Sequence, residues 1–311
     1  MKKALIQTLC ELMSQNENVY LFTGDLGFGV MDPILEHHNN RFINAGICEQ
    51  NMLSAATGMA MEGNIVFVYS IGNFPTLRCM EQIRNDASYH NANVKIIAVG
   101  GGFAYGQLGM SHHATEDVAM LRSVPNITIL TPADSVETVE AVKLAATITG
   151  PVYIRLGRGG EKCISHKQLN IKLPMNLDIT NKEITSIKIA LLGSGIVMPD
   201  VEEAAKELAK DYKVVAYSLC MIKPCDEQTI EKICYENDFV FTIEEHQIIG
   251  GLGSLVAEII AEKSILVKFK RIGMKNQFTK VVGSPSYLRK VYGLDRDGII
   301  KTVKEVILEN K

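Results

Sequence analysis

The sequence predicts an α/β protein of two three-layer α/β/α domains, each built on a mainly parallel sheet. Three observations lead there. Short β-rich runs alternate with helix-period segments along most of the chain. The strand candidates of the first half read as apolar runs rather than alternating ones, which suits strands buried on both faces of a parallel sheet. The alternation breaks once, at the polar stretch Glu161–Ser186, with Pro174, several Asn and Lys and no periodicity. Such a stretch reads as an interdomain linker. The expected division is 1–165 for the first domain, 166–186 for the linker and 187–311 for the second domain.

In the first half the expected strands are Val19–Thr23, Ile65–Tyr69, Val94–Val99, Ile127–Leu130 and Val152–Leu156. The first helix between them runs from Glu49 to Glu62, with Met52, Ala55, Ala56, Met59 and Ala60 on one face at helical spacing. Further helices are expected at Leu77–Tyr89, Glu116–Val124 and Ser135–Thr147, the last with Ser135 as N-cap and Glu137 and Glu140 near its start. The second half repeats the alternation. Its strands are Ile187–Leu192, Val214–Tyr217, Val240–Ile243 and Ile265–Ile272, and its helices Pro199–Asp211, Asp226–Glu236, Gly251–Lys263 and Asp295–Glu309. No internal repeat of 20–50 residues stands out.

Composition narrows the function classes. A chain of 311 residues with 47% hydrophobic and 22% charged residues has the balance of a soluble globular protein of about two domains. A net charge of −3 gives no whole-chain electrostatic case for nucleic acid or an anionic membrane. No apolar run approaches the ~18 residues that span a bilayer. The start, Met1-Lys2-Lys3-Ala4-Leu5-Ile6-Gln7, is too soon interrupted for a signal peptide, so a cytoplasmic protein is expected. The cysteines, Cys10, Cys48, Cys79, Cys163, Cys220, Cys225 and Cys234, are odd in number and contain no CxxC pair. That argues for reduced, mostly buried thiols over a disulfide framework or structural zinc.

Several segments could carry chemistry. In Asn44-Ala45-Gly46-Ile47-Cys48-Glu49-Gln50-Asn51-Met52, a carboxylate opens a helix rich in Met, Leu and Ala. Glu49 is either a first-turn partner of the helix dipole or a carboxyl in an apolar setting, ready to exchange a proton. A Gly-rich loop, Val99 to Gly109, follows a strand and leads to His112 and His113. Ligands bind outside the carboxyl ends of such strands; the loop is otherwise a flexible surface segment. It is no P-loop, since no Gly-Lys-Ser/Thr follows, and the two histidines have no third metal ligand at suitable spacing. Arg155 and Arg158 at a strand end suit a carboxylate or phosphate, or a surface salt bridge. Leu192-Gly193-Ser194-Gly195 hints at a dinucleotide fingerprint, but lacks its third Gly and its acidic partner, and reads as a tight turn.

Together these segments resemble the C-terminal portion of transketolase and the corresponding part of deoxyxylulose-phosphate synthase. The resemblance runs from Gly24-Asp25-Leu26 through Gly46–Met52, Met80-Glu81-Gln82-Ile83-Arg84, Ser111-His112-His113, Leu121–Asn126, Thr131-Pro132-Ala133-Asp134 and Pro151–Arg158 to Glu244-Glu245-His246 and Ile249–Gly253. No single motif decides it; their order and spacing do. It implies a pyrimidine-binding domain followed by a transketolase C-terminal domain, and thiamine diphosphate as cofactor. In the family, the Glu matching Glu49 hydrogen-bonds a ring nitrogen of the aminopyrimidine and so promotes loss of the thiazolium proton. His112 matches a His that contacts substrate hydroxyls and moves protons. Asp25 matches an acidic residue near the cofactor. Arg158 matches an arginine that binds the sugar-phosphate end, with Arg155 the weaker candidate.

Five departures stand beside the match. In Ser70-Ile71-Gly72-Asn73-Phe74-Pro75-Thr76-Leu77 only Phe74 is aromatic where rings are expected; Ile71 and Leu77 replace rings, and Ile71 and Phe74 are expected to supply the apolar contact to the cofactor. Gly100 stands where transketolase has a phosphate-binding His, and Leu108 where it has an acidic residue that recognises an acceptor hydroxyl. His113 stands where Gln is common and receives no role. The family's Gly-Asp-Gly…Asn motif, which holds the Mg²⁺ bridging the diphosphate, is not matched by Gly24-Asp25-Leu26-Gly27. The resemblance therefore implies one subunit of a split transketolase, with no metal ligands of its own, completed by a separate diphosphate-binding subunit that supplies them in a two-plus-two heterotetramer. The expected reaction is transfer of a two-carbon ketol unit between sugar phosphates or related sugars. The competing readings are the β subunit of a 2-oxo acid dehydrogenase and a non-catalytic partner that has kept the fold.

Overall fold

The computed structural model describes residues 1–27, 29–164, 169–180 and 187–310. The first sheet contains β1 (Val19–Thr23), β2 (Phe42–Asn44), β3 (Ile65–Ile71), β4 (Val94–Val99), β5 (Thr128–Leu130) and β6 (Val152–Leu156). The second holds β7 (Met175–Asn176), β8 (Lys188–Ser194), β9 (Lys213–Ser218), β11 (Phe239–Gln247) and β12 (Lys268–Met274), while β10 (Met221–Lys223) returns to the first. The spatial orders are β10-β5-β6-β4-β3-β1-β2 and β12-β11-β8-β9-β7. All pairings are parallel except β10 with β5 and β7 with β9, the outer strand at one edge of each sheet. The mainly parallel α/β architecture expected from the sequence is thus present in both halves.

The uninterrupted apolar strands follow from burial on both faces. In the first sheet Leu21, Phe67, Ile97 and Ile154 face α1 (Lys2–Gln15), α2 (Asp32–His38) and α5 (Ser135–Thr147). Phe22, Val66, Val68 and Ile96 point the other way, toward α3 (Glu49–Met61), the π-helix Gln82–Ser88 and α4 (Asp117–Arg122). Successive side chains of a strand alternate faces, so a strand covered twice carries no polar face. The core on this second side continues without a break into α7 (Glu227–Glu236) and α8 (Leu252–Glu262), which joins the domains through apolar packing. The far face of the second sheet is closed by α6 (Met198–Leu208), α9 (Pro285–Tyr292) and α10 (Arg296–Glu309).

Local chemistry shifts some expected boundaries. Asp134, not Ser135, caps α5: its Oδ1 accepts from the N–H groups of Val136 and Glu137 at 2.8 and 3.0 Å. The expected helix Leu77–Tyr89 divides into a 3₁₀ turn, Leu77–Cys79, and the π-helix. The strand expected from Ile265 begins at Lys268. Gly195, at φ +68°, makes the expected tight turn and opens a 3₁₀ segment leading into α6. Of the stretch expected as a linker, 166–168 and 181–186 lie outside the described residues. Its middle supplies β7, with Ile171 and Leu177 buried.

Candidate active site

Glu49 is the first residue of α3 and is only 2% exposed. Ser70, near the end of β3, donates its hydroxyl to Glu49 Oε1 at 3.1 Å, and Arg78 donates from Nη1 to Oε2 at 2.6 Å. Arg78 reaches in from the 3₁₀ turn and is 43% exposed. Its guanidinium lies 4.4 Å from the centroid of Phe74. A Cβ at Gly24 would stand 3.3 Å from Glu49 Oε1, so glycine keeps the approach to the carboxylate open. Beneath this pair, burial and the Glu49 carboxylate push the Cys79 thiol up to about 12, against the pull of Arg78.

The other expected site residues gather around the same strand ends. Asp25, held at φ +52°, accepts from Asn44 Nδ2 at 3.0 Å, and Asn44 Oδ1 accepts from its backbone N–H. Ile71 closes β3, and the Phe74 ring meets His112 edge-on at 5.2 Å. His112 Nδ1 lies 3.1 Å from the Ser111 hydroxyl, and Nε2 has no hydrogen bond among the described residues. Tyr105 stands 6.3 Å from His112, and the Arg158 guanidinium 5.2 Å from the Tyr105 centroid. Arg158 also lines a cleft of about 570 Å³ between the domains, with Lys162, Asp200 and Arg289. Glu49, Arg78, Phe74, His112, Tyr105 and Arg158 thus form one continuous line at the carboxyl ends of the first sheet, where open α/β folds bind ligands.

Arg155, expected as a second substrate arginine, is placed elsewhere. It is 5% exposed and pairs with the fully buried Asp117 at 2.8 Å. It also donates to the carbonyls of Ala114 at 2.6 Å and Glu245 at 3.0 Å. Tyr153 adds a 2.5 Å bond to the same Asp117 oxygen. Arg155 holds Asp117 below the usual carboxylate range against the opposing effect of burial. Its guanidinium is committed to the domain interface, not to the cleft. Glu245 completes that interface, accepting from the Phe103 N–H at 2.6 Å and from Arg289 at 2.9 Å. His246 accepts from the Ala119 N–H at Nε2, 3.3 Å, which leaves Nδ1 to donate to the Gln247 carbonyl at 2.7 Å. His113 is buried with Thr279 at 2.6 Å and the Gly106 carbonyl at 3.2 Å. Both histidines therefore join the domains.

Sequence reasoning missed Ser70 and Arg78 as partners of Glu49, and Tyr105 as the link between His112 and Arg158. One signal for Tyr105 was available: a large ring between Gly102 and Gly106 must lie against backbone. For Arg78 there was a lone cation next to an apolar stretch, which by itself does not name a carboxylate partner.

The residues present fit the aminopyrimidine end of thiamine diphosphate. A buried carboxylate faces an approach that a Cβ at residue 24 would crowd, beside the apolar Ile71 and Phe74, and its second partner is a long, half-exposed arginine able to swing aside. No group of three or more His, Cys, Asp or Glu placed to hold a metal ion occurs among the described residues. No helix among them is long and apolar enough to cross a membrane.

Comparison with known proteins matches both halves of the chain. The family model for the pyrimidine-binding domain of transketolase matches residues 1–160, and that for the transketolase C-terminal domain matches 182–299. A putative transketolase C-terminal section from Methanocaldococcus jannaschii is 34% identical over 310 residues, covering 98% of this chain and 95% of that protein. One subunit of an apulose-4-phosphate transketolase from Phocaeicola vulgatus is 32% identical over 308 residues, covering 98% and 97%. A solved structure described as a split-gene transketolase, inactive beta4 tetramer, superposes with a TM-score of 0.84 at 31% identity, covering 98% and 97%.

Proposed function

The chain belongs to the transketolase family, and from that premise we propose that it is the C-terminal subunit of a split transketolase, transferring a two-carbon ketol unit between sugar phosphates or related sugars. The observation that carries the reading is the buried Glu49 carboxylate in line with His112 and Arg158 at the sheet's carboxyl ends. Residues 1–165 then form the pyrimidine-binding domain and 187–311 the C-terminal domain. A separate subunit supplies the diphosphate-binding domain and the Mg²⁺ ligands. Support for a partner comes from the apulose-4-phosphate relative, which is named as a subunit, and from the split-gene beta4 tetramer described as inactive. A homodimer of this chain within a two-plus-two assembly is part of the same reading, as is a cytoplasmic setting, which the seven free cysteines suit.

Thiamine diphosphate supplies, when bound, the carbon nucleophile and electron sink for breaking and remaking the carbon–carbon bond. The chain's own residues bind, orient and move protons. Glu49 would hold the pyrimidine end of the cofactor through its buried carboxyl, which Ser70 orients by donating to Oε1. Arg78 must release Oε2 for that contact to form. Ile71 and Phe74 provide the apolar wall, and Asp25 lies at its rim. His112, with Nε2 free and Nδ1 turned to Ser111, takes a proton from a substrate hydroxyl and returns it. Arg158 meets the anionic end of the sugar.

The test is calorimetric titration of thiamine diphosphate with Mg²⁺ into this chain alone, and into its mixture with a diphosphate-binding subunit. Binding in the mixture only, with turnover of a ketose phosphate that Glu49→Gln abolishes, is the expected result. Tight binding by the chain alone would contradict the split site. Turnover unaffected by Glu49→Gln would remove the proton role.

A further inference from the structure

Tyr105 stands at the centre of an arrangement that the reaction above leaves unexplained. Its ring fills the space beside Gly100: a Cβ at residue 100 would run into the ring, and the backbone there is held at φ +99°. No side chain at residue 100 can therefore contribute to the site. Two cations converge on that ring. Lys2 Nζ donates to the Tyr105 hydroxyl at 3.4 Å and lies 5.9 Å from the ring centroid, and the Arg158 guanidinium lies 5.2 Å from the same centroid. Among the described residues neither cation has a carboxylate partner. The carboxylates of the adjoining cleft pair elsewhere: Glu161 accepts from the Gly159 N–H at Oε1, 2.6 Å, while its Oε2 faces the N-terminal ammonium at 3.6 Å without a hydrogen bond, and Asp200 pairs with Arg289 at 3.1 Å. Two like charges gathered on one ring without a counter-ion repel each other, and an anion between them removes that repulsion. The quadrupole of the ring holds both cations in place while leaving their N–H groups to an incoming ligand.

We propose that Lys2 and Tyr105 are specificity-determining residues that, with Arg158, bind a tetrahedral oxyanion at the end of the sugar substrate. Tyr105 takes the space a side chain at residue 100 would need and offers its hydroxyl as donor; Lys2 offers a second positive charge. The inference rests on the transketolase reading and names the substrate class of that same site. Phosphate and sulfonate share the required chemistry of three outward oxygens and negative charge. They differ in titration, since a phosphate monoester gains its second charge near pH 6 and a sulfonate does not titrate in that range.

The experiment uses the assembled enzyme, this chain with its diphosphate-binding subunit, and three ketose donors: a sugar phosphate, a sulfonated sugar and an uncharged sugar. The readout is the ratio of kcat/KM for each anionic donor to that for the uncharged one. Lys2→Met lowers this ratio about tenfold through KM, the loss expected for one charge-assisted hydrogen bond. Tyr105→Phe lowers it by a smaller factor and keeps the ring that orients the two cations. The anionic donor with the lower KM identifies the oxyanion. A KM for the phosphate that falls between pH 5 and pH 7 while that of the sulfonate stays flat marks the dianion as the bound form. Cofactor-dependent turnover with ratios unchanged in both variants overturns the proposal and leaves the transketolase reading standing. Failure of the wild-type assembly to bind thiamine diphosphate or to turn over any donor overturns both.

Discussion

Arg78 and Glu49 form an ion pair of 2.6 Å in which the carboxylate is buried and the guanidinium is nearly half exposed. The asymmetry decides what each substitution does. Removing the arginine strands a buried charge, whereas neutralising the glutamate leaves the arginine free to turn to solvent. Glu49→Gln is therefore expected to abolish turnover while keeping or slightly raising the melting temperature. Arg78→Met is expected to destabilise the fold by about 1–2 kcal/mol, reduced from the fully buried case because one partner is wet. Thermal unfolding of the two variants side by side separates them. A melting temperature lowered more by Glu49→Gln than by Arg78→Met would contradict the asymmetry.

Arg155 and Asp117 present the opposite case, with both partners buried. Lysine at residue 155 would keep the charge but lose the fork that serves Asp117 and two carbonyls at once. Arg155→Lys is expected to lower stability by about 2–4 kcal/mol. The KM of the folded fraction should not change, because the guanidinium does not face the cleft. Urea unfolding combined with steady-state kinetics checks this. A raised KM at unchanged stability would return Arg155 to substrate binding.

His113 gives the domain contact a pH dependence. Burial is the main force holding its imidazole below the usual value, helped by His112 and opposed by the Gly106 carbonyl, Glu245 and Glu116. The Gly106 carbonyl can only accept, so Nε2 carries the proton and Nδ1 accepts from Thr279. A histidine with a depressed folded pKa takes up its proton more readily when unfolded. As pH falls through about 6.5 the unfolded chain gains that proton first, and stability declines until the folded-state pKa is reached. The urea midpoint should fall between pH 7.5 and pH 5.5, and His113→Asn should reduce that fall. An identical fall in the variant would assign the dependence to other groups.

Much of this architecture was legible because burial leaves a strong trace. A run such as Val94–Val99 is apolar on both faces but for Lys95, and its strand lies where expected. Order and spacing point to Glu49, Phe74, His112 and Arg158, and these do lie along one edge. What escapes the sequence depends on partners distant along the chain. Arg155 and Arg158 are equivalent as text at a strand end, and only the packing of α4 turns the first toward Asp117. The strands β2, β7 and β10 are too short to show a period, and β10 is defined by β5, some ninety residues away. The helix α1 does carry a signal, Leu5, Ile6, Leu9 and Met13 at helical spacing, which the two lysines at its start obscure.

Lys95 is visible in the sequence as one charge inside an apolar strand, and its burial explains it. Its Nζ donates to the carbonyls of Ile148 and Gly150, both at 2.6 Å, beyond the last turn of α5. Lys95→Met would leave both carbonyls buried without a donor, which costs about 1–3 kcal/mol for each group left unpaired. Burial lowers the pKa of the amine to about 7. Between pH 7 and pH 10 the unfolded chain therefore keeps a proton that the folded one has released, and the stability of the wild type rises with pH through this group. The neutral amine still donates two hydrogen bonds. The gap in urea stability between wild type and Lys95→Met should thus widen from pH 7 to pH 9, by up to about 1.4 kcal/mol per pH unit. A gap that stays level over this range would mean that the two carbonyls hold the amine in its charged form against the effect of burial.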